Sequence, residues 1–498
     1  MSIRRLILPG SALLVVLTFV TLTRADPDLW GHVRFGGDII DSGTILLPDT
    51  YSFTSDKPWI NHEWLSEIVM AAAFRMAGAS GLVLLKLAII LLSMTCVWRI
   101  AKDEGADART AVLLTALGLI GILTRAQQVR PQLFSVLCFS VLVLLLRRAE
   151  RNTRVLWLVP PLMIFWANTH GGWLVGCGTL GLWCAANTWT AWRRGDGADQ
   201  LVGMWTAFAT AVAATLINPY GLGLWRFLAS TVGPSRRFIS EWGPVYTDIA
   251  LLGPWCVFAL IAVTAVRRAD RSTRLAAVVI PLFWGTLGFK VSRLDAFFAL
   301  STLGFLAPEI VRVIQERRRA GAPRQQSLAA QGMAALAAIA ILAFTIPQLR
   351  TNLFCIDVHA ASNFPESQAM SFVREHQLNG RMVTFFDWGQ YAIWHKPPGL
   401  RVSMDGRRET VYTDRTVDLH LDMYLALQDG LPYLYSLHAD YVWVPRELPL
   451  AETLSRSALW RPVYRSGRSV IFARPGLAPV NGAIEEGPDA NCRCFPGP

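Results

Sequence analysis

The chain has 498 residues, of which 53% are hydrophobic and only 17% charged. That is too little charge to coat a soluble protein of this length, and it points to a polytopic α-helical membrane protein. The net charge of +11 does not indicate a nucleic-acid partner, because the arginines stand in short clusters between apolar runs, at 147–154, 193–194, 267–274 and 317–319.

In chain order, apolar runs near 6–23, 80–98, 110–124, 131–147, 155–168, 172–191, 201–217, 250–266, 275–289, 295–309 and 328–346 predict about eleven helical spans. The first reads as an uncleaved anchor, being long for the apolar part of a signal peptide. Pro160 and Pro161 are expected to distort the fifth span. Arg4 and Arg5 put the N-terminus in the cytoplasm, and alternation then puts every arginine cluster there too. The segments 24–79, 125–130, 169–171, 218–249 and 290–294 fall outside, as does everything after 347.

Ionisable and amide groups collect on that outer side. The first external loop carries Asp26, Asp28 and His32, then His62, Glu63 and Glu67. The next external segments add Arg125 and Arg130, Asn168 and His170, Asn218 and Tyr220, Glu241 and Trp242, and Lys290, Arg293 and Asp295. Charges at membrane depth are costly, so such groups tend to be paired or functional. Each also has an ordinary reading. Asp26 and Asp28 suit a helix N-terminus; the arginines suit lipid headgroups; His170 and Asn218 suit turns. Their convergence on one face favours function. In the loop itself, "LWGHVRFGGDIIDSG" and "NHEWLSEIVMAAAFRMAG" read as two amphipathic helices lying on the membrane, apolar side down.

Residues 347–475 change character and predict a small extracytoplasmic α/β domain. Short strands are expected at 381–386, 400–405, 441–445 and 469–475, with helices between them. "MDGRRETVY" puts Asp405, Gly406, Arg407 and Arg408 at a strand end, either as a ligand-binding site or as a charged turn bracing the domain. The tail after 476 reads as disordered. Of the eight cysteines, Cys355, Cys492 and Cys494 lie in this region, and none follows a zinc-binding spacing.

"DPDLWGHVRFGGDIIDSG", "DTYSFTSDKPWINHEWLSEIV", "VRPQLFS", "FWANTHGGWLVG", "NPYG", "ISEWGP" and "DWGQYAIWHKPPGLRVSMDGRRETVY" together resemble a bacterial branch of the GT-C superfamily of membrane glycosyltransferases. Its members carry a D-x-D-L-W-W-H stretch before P-W-x-x-H-E-W-L. Here Gly31 stands where the second tryptophan would be. The resemblance covers most of the chain and implies a GT-C-like transmembrane domain over residues 1–346. It implies transfer of a sugar from a polyprenyl-phosphate donor to a glycan, lipid or protein acceptor outside the bacterial cytoplasmic membrane.

That chemistry needs a base, positive charge on the leaving phosphate and a greasy groove for the prenyl chain. Asp28 is the expected base, with Asp26 as the alternative. Arg125, Arg130, His170 and Arg293 are the phosphate candidates. His32, His62 and Glu63 would serve the acceptor or, with Asp26 and Asp28, a divalent cation such as Mg2+ or Mn2+. Asp405, Arg407 and Arg408 would bind an acceptor such as an anionic glycan. Two other readings compete: a transporter or flippase of lipid-linked glycans, and a non-catalytic scaffold for envelope assembly.

Overall fold

The computed structural model describes residues 16–45, 49–195, 199–231, 242–269, 274–320, 340, 343–358, 364–477, 484–487 and 493–497. The helices are α1 (Leu29–Ser42), α2 (Trp64–Asp103), α3 (Ala108–Ala126), α4 (Gln132–Ala149), α5 (Val159–Thr169), α6 (Trp173–Arg194), α7 (Asp199–Ala214), α8 (Leu222–Thr231), α9 (Ile249–Arg267), α10 (Leu275–Lys290), α11 (Asp295–Phe305), α12 (Ala307–Ala320), α13 (Ser367–Glu375), α14 (Gly389–His395), α15 (Asp414–Tyr424), α16 (Gly430–Ser436) and α17 (Pro449–Ser455). The chain divides into two compact units. One holds residues 1–22, 84–127 and 131–351; the other holds 23–83, 128–130 and 352–498.

The first unit is helical. By length and composition α2, α3, α4 and α9 can each cross a bilayer, and residues 292–305 with 307–318 make a fifth if that pair, bent by 68°, is one broken span. Among the described residues, four or five such helices are fewer than the eleven or so expected. The apolar run at 155–168 is split, a 3-10 turn over Thr153–Leu158 leaving only 11 residues in α5. The helices α7 and α10 are apolar but shorter. Most of the runs at 6–23 and 328–346 falls outside the described residues. Pro160 and Pro161 stand in the first turn of α5. There a missing N–H costs nothing, so they start a helix rather than distort one. Asp107 caps α3 by accepting the Thr110 N–H at 2.8 Å, a standard N-terminal stop.

The second unit joins the first external loop to the C-terminal residues. Among the described residues its sheet has six strands: β1 (Gly380–Thr384), β2 (Leu400–Val402), β3 (Tyr441–Pro445), β4 (Arg461–Arg465), β5 (Ser469–Ala473) and β6 (Glu485–Glu486), in the order β2-β1-β3-β5-β4-β6. The β2, β1 and β3 neighbours are parallel, while β3, β5 and β4 pair antiparallel. Val383, Val442, Val444 and Phe472 pack with Met423 and Leu434 in its core. The four expected strands are present. The sequence reading missed β4 and β6.

Helix α1 is not a surface helix with lipid under its apolar side. Leu29, Trp30, Val33, Phe35 and Ile39 are all buried in protein. The Trp30 ring meets Phe364, Tyr391 and Phe495 at 5.0–5.3 Å. The "NHEWLSEIV" segment opens the 40-residue α2, which breaks at Ala77–Gly78, where Gly78 has φ 59°. A Cβ at Gly36 would lie 2.0 Å from the Glu67 carbonyl oxygen, so α1 and the start of α2 approach as only glycine allows.

The tail expected to be disordered is structured at 484–487 and 493–497. Cys494 forms a disulfide with Cys355, the Trp30 indole donates to the Pro496 carbonyl at 2.7 Å, and Phe495 is buried. A covalent tie and one buried aromatic offset the ordering entropy that composition alone suggested would win.

Candidate active site

Asp26 and Asp28 precede α1. Asp28 occupies its N-cap position, but its side chain makes no capping bond. Asp26 instead accepts the Asp28 N–H at 3.0 Å, which fixes the turn. The Asp28 carboxylate is thereby left for other work. Arg130 reaches both acids, with Nη2 3.0 Å from Asp28 Oδ2 and Nη1 3.3 Å from Asp26 Oδ2. A backbone bridge between Arg24 and Gln128 holds the arginine's segment beside the acids.

One turn along α1, the His32 Nδ1 lies 3.0 Å from Glu67 Oε1 and 4.0 Å from Glu63 Oε2. Glu63 and Glu67 are four residues apart at the start of α2, so they share a helix face. Asn61 donates to the other Glu67 oxygen at 2.5 Å, and His62 Nε2 is 3.6 Å from Glu63.

Electrostatics follow from this crowding. Burial, reinforced by the charge of Asp26, pushes Asp28 up to about 7, with Arg130 and His32 opposing. Burial alone would lower His32. The Glu67 hydrogen bond and the charges of Glu63, Glu67 and Asp28 outweigh it and raise the imidazole to about 9.

One nitrogen and two carboxylates, from His32, Glu63 and Glu67, lie within 4.8 Å of one another. This mixed donor set fits a divalent cation, which would have to displace the imidazole proton. Asp26 and Asp28, expected to share in such a site, do not fit it, because the Arg130 guanidinium already meets their charge. Glu67 was read as one of the external acids but not as a cation ligand, although its spacing from Glu63 is a readable signal.

Asp405 and Arg407 are not available to an acceptor. Asp405 is fully buried. The Arg407 guanidinium gives it two hydrogen bonds, at 2.8 and 2.9 Å, and reaches Asp49 at 3.0 Å. The guanidinium also lies 4.8–5.3 Å from the rings of Phe35, Tyr51 and Trp59. These residues brace the first loop against the C-terminal part of the unit. Arg408 is only partly buried and lies 4.7 Å over Phe386.

The remaining phosphate candidates belong to the other unit. Arg125 donates to the Ser292 carbonyl at 2.8 Å and lies 3.5 Å from Asp295. His170 Nδ1 meets the Ser135 hydroxyl at 2.7 Å and the Gly172 N–H at 3.0 Å. Arg293 lies 5.9 Å over Trp242. Glu241 lies outside the described residues.

The C-terminal residues close around Asp28. A Cβ at Gly406 would lie 1.9 Å from Asp28 Oδ1, and one at Gly31 would lie 2.1 Å from Gln390 Oε1. A larger residue at position 31, such as the tryptophan of the D-x-D-L-W-W-H pattern, would require the Gln390 side chain to move.

No family model matches the chain, and no curated protein matches it by sequence. Solved structures do. The oligosaccharyltransferase AglB from Archaeoglobus fulgidus, in complex with an inhibitory peptide and a dolichol-phosphate, aligns with a TM-score of 0.55 at 12% identity, over 88% of this chain and 69% of that one. ArnT from Cupriavidus metallidurans, bound to undecaprenyl phosphate, aligns at 0.56 and 14% identity, over 97% of this chain and 99% of that one. The chain shares their fold. At these identities the likeness is one of fold.

Proposed function

We propose that this protein is a membrane glycosyltransferase that moves a sugar from a polyprenyl-phosphate donor to an extracytoplasmic glycan, lipid or protein acceptor. The observation that carries the reading is the Asp26–Asp28–Arg130 cluster, a carboxylate beside a guanidinium in a fold shared with two proteins whose complexes hold a polyprenyl phosphate. The Cys355–Cys494 disulfide suits an oxidising compartment. It supports a topology with the second unit outside the cytoplasm and the N-terminus within it.

In this mechanism Asp28 takes the proton of the acceptor hydroxyl. The acceptor oxygen bonds to the anomeric carbon as the bond from that carbon to the phosphate oxygen breaks. The phosphate leaves with the electron pair, and Arg130 meets its charge. A base poised near neutrality suits this role. A divalent cation held by His32, Glu63 and Glu67 would add positive charge for the phosphate.

The test compares extracytoplasmic glycans and polyprenyl-phosphate sugars by mass spectrometry in cells lacking the protein, cells with wild type, and cells with Asp28→Asn at matched expression. Loss of one glycan mass with build-up of its donor, in both the deletion and the variant, is expected. Transfer at the wild-type level by Asp28→Asn would remove Asp28 as base. Transport of labelled lipid with its covalent structure unchanged would replace the transferase reading with a transporter.

A further inference from the structure

A second site opens on the other side of α1. At about 3.6 residues per turn, Arg34, Asp38 and Asp41 fall on the side of this helix opposite Asp28 and His32. With Arg75 of α2 and the rings of Phe74 and Trp394 they line a cleft of about 480 Å³, a volume usual for small-molecule sites. All six residues belong to the second unit. None of them was read from the sequence as a site residue.

The cleft offers hydrogen bonds rather than net charge. Arg34 Nε pairs with Asp38 Oδ2 at 2.9 Å, and Arg75 Nη2 pairs with Asp41 Oδ2 at 2.7 Å. Two cations thus cancel two anions. The Tyr51 hydroxyl donates to the same Asp38 oxygen at 2.5 Å, and Arg75 Nη2 also donates to the Gly37 carbonyl at 3.1 Å. Every one of these bonds falls on a single atom of its side chain. Asp38 Oδ1, Asp41 Oδ1, both Nη atoms of Arg34, and Nε and Nη1 of Arg75 have no hydrogen-bond partner among the described residues. The four side chains are therefore held in place with donors and acceptors to spare. The nearby Lys396 donates to the Leu400 carbonyl at 2.7 Å and does not line the cleft.

Trp394 supplies a flat wall. Its ring meets Phe74 at 5.5 Å, edge to face, and Phe495 at 6.0 Å, yet the residue is only partly buried. The face of an aromatic ring is negative and attracts polarised C–H bonds. A sugar ring presents such C–H bonds on its faces and, around its rim, hydroxyls that both donate and accept. Asp38 and Asp41 disfavour a phosphate here, and Arg34 and Arg75 disfavour a metal ion. A peptide is held by a free strand edge or by a row of apolar anchors. Two helices that turn four charged side chains to the cleft offer neither.

We propose that this cleft is a saccharide-binding site separate from the transfer centre. It takes a neutral oligosaccharide, with one ring on Trp394 and hydroxyls on the Arg34–Asp38 and Arg75–Asp41 pairs. Binding there needs no transfer chemistry, so its test is independent of the transferase reading.

The experiment titrates the purified full-length protein in detergent with neutral tetrasaccharides of glucose, mannose, galactose or N-acetylglucosamine, read by saturation-transfer NMR. Wild type is compared with Trp394→Ala, Arg75→Gln and Asp28→Asn. Wild type is expected to bind at least one of the probes with a Kd of about 1 mM or tighter. Trp394→Ala should weaken that binding by at least about tenfold, and Arg75→Gln by about threefold to tenfold. Asp28→Asn should stay within about twofold of wild type. The Arg75 side chain is 44% exposed, so Arg75→Gln keeps its fold and decides the matter if loss of the Trp394 ring disturbs the packing. No binding by any probe up to about 10 mM overturns the proposal. Binding that survives both cleft variants overturns it, as does binding lost only in Asp28→Asn, which would put the sugar at the transfer centre. Binding of glycerol phosphate that is lost in Arg75→Gln, with no tetrasaccharide bound, overturns it too and gives the cleft to a lipid headgroup.

Discussion

Two clusters in the second unit use the same residue types to opposite ends. The side chains of Asp405, Arg407 and Asp49 are buried and bonded to one another, with the guanidinium also boxed by three aromatic rings. Asp26, Asp28 and Arg130 are looser. Asp28 is about a quarter exposed and makes its ion pair through a single oxygen. A sealed network of this kind fixes a fold, because removing any member strands a charge. A partly open one can exchange a partner for a ligand without unfolding anything. The difference is one of enclosure, not of residue type.

The sharpest way to break the comparison is to neutralise one member of each cluster. Asp28→Asn is expected to reduce transfer by about a thousandfold or more, with a thermal midpoint no lower than wild type. Arg407→Ala is expected to destabilise the second unit by roughly 3–5 kcal/mol, seen as a lower melting temperature and reduced membrane levels. Arg407→Lys should rescue little, since lysine lacks the planar fork that binds Asp405 and faces the rings. If Arg407→Ala melted normally and lost only activity, the two clusters would have to exchange roles. A smaller effect is expected at the Cys355–Cys494 tie. Cys355→Ser frees the segment that packs on Trp30 and should cost about 2–4 kcal/mol. Hydrogen exchange within α1 should rise with it.

What could be read from sequence follows the same line. The apolar runs, the arginine clusters and the strands of the C-terminal part have local signatures, so a helical membrane architecture with a small sheet was legible. The acids at 26 and 28, His32 and Arg130 were also legible, as ionisable groups expected to share one face. Their partners were not. Whether Arg130 or a cation neutralises Asp28, and whether Arg407 is open or boxed, depends on contacts between segments 102 and 358 residues apart. Gln390 sits in "DWGQ", which carries no spacing rule at all. Gly406 looks like any turn glycine until Asp28 is found against it. The buried tail was missed for a different reason: its composition predicts disorder, and only the disulfide partner at Cys355 reverses that.

The finest test of the comparison is pH. Asp28 is raised to about 7 from the ordinary 3.8, with burial the chief cause and Asp26 the next. Its two consequences have opposite signs. As a base it works only when ionised, so transfer should fall about tenfold per unit below pH 7 and level off above about 8. As a buried group it prefers to be protonated in the folded state. Its contribution to stability is full below the unfolded value of 3.8 and is lost as pH rises through about 7. Activity should therefore climb through the range in which the fold weakens. Asp28→Asn removes both effects, so the variant should melt no lower than wild type at pH 8 while transferring nothing. Asp26→Asn removes the neighbouring charge and should move the activity inflection to lower pH. An inflection that stayed near 7 in Asp26→Asn would mean that the titrating base is another group.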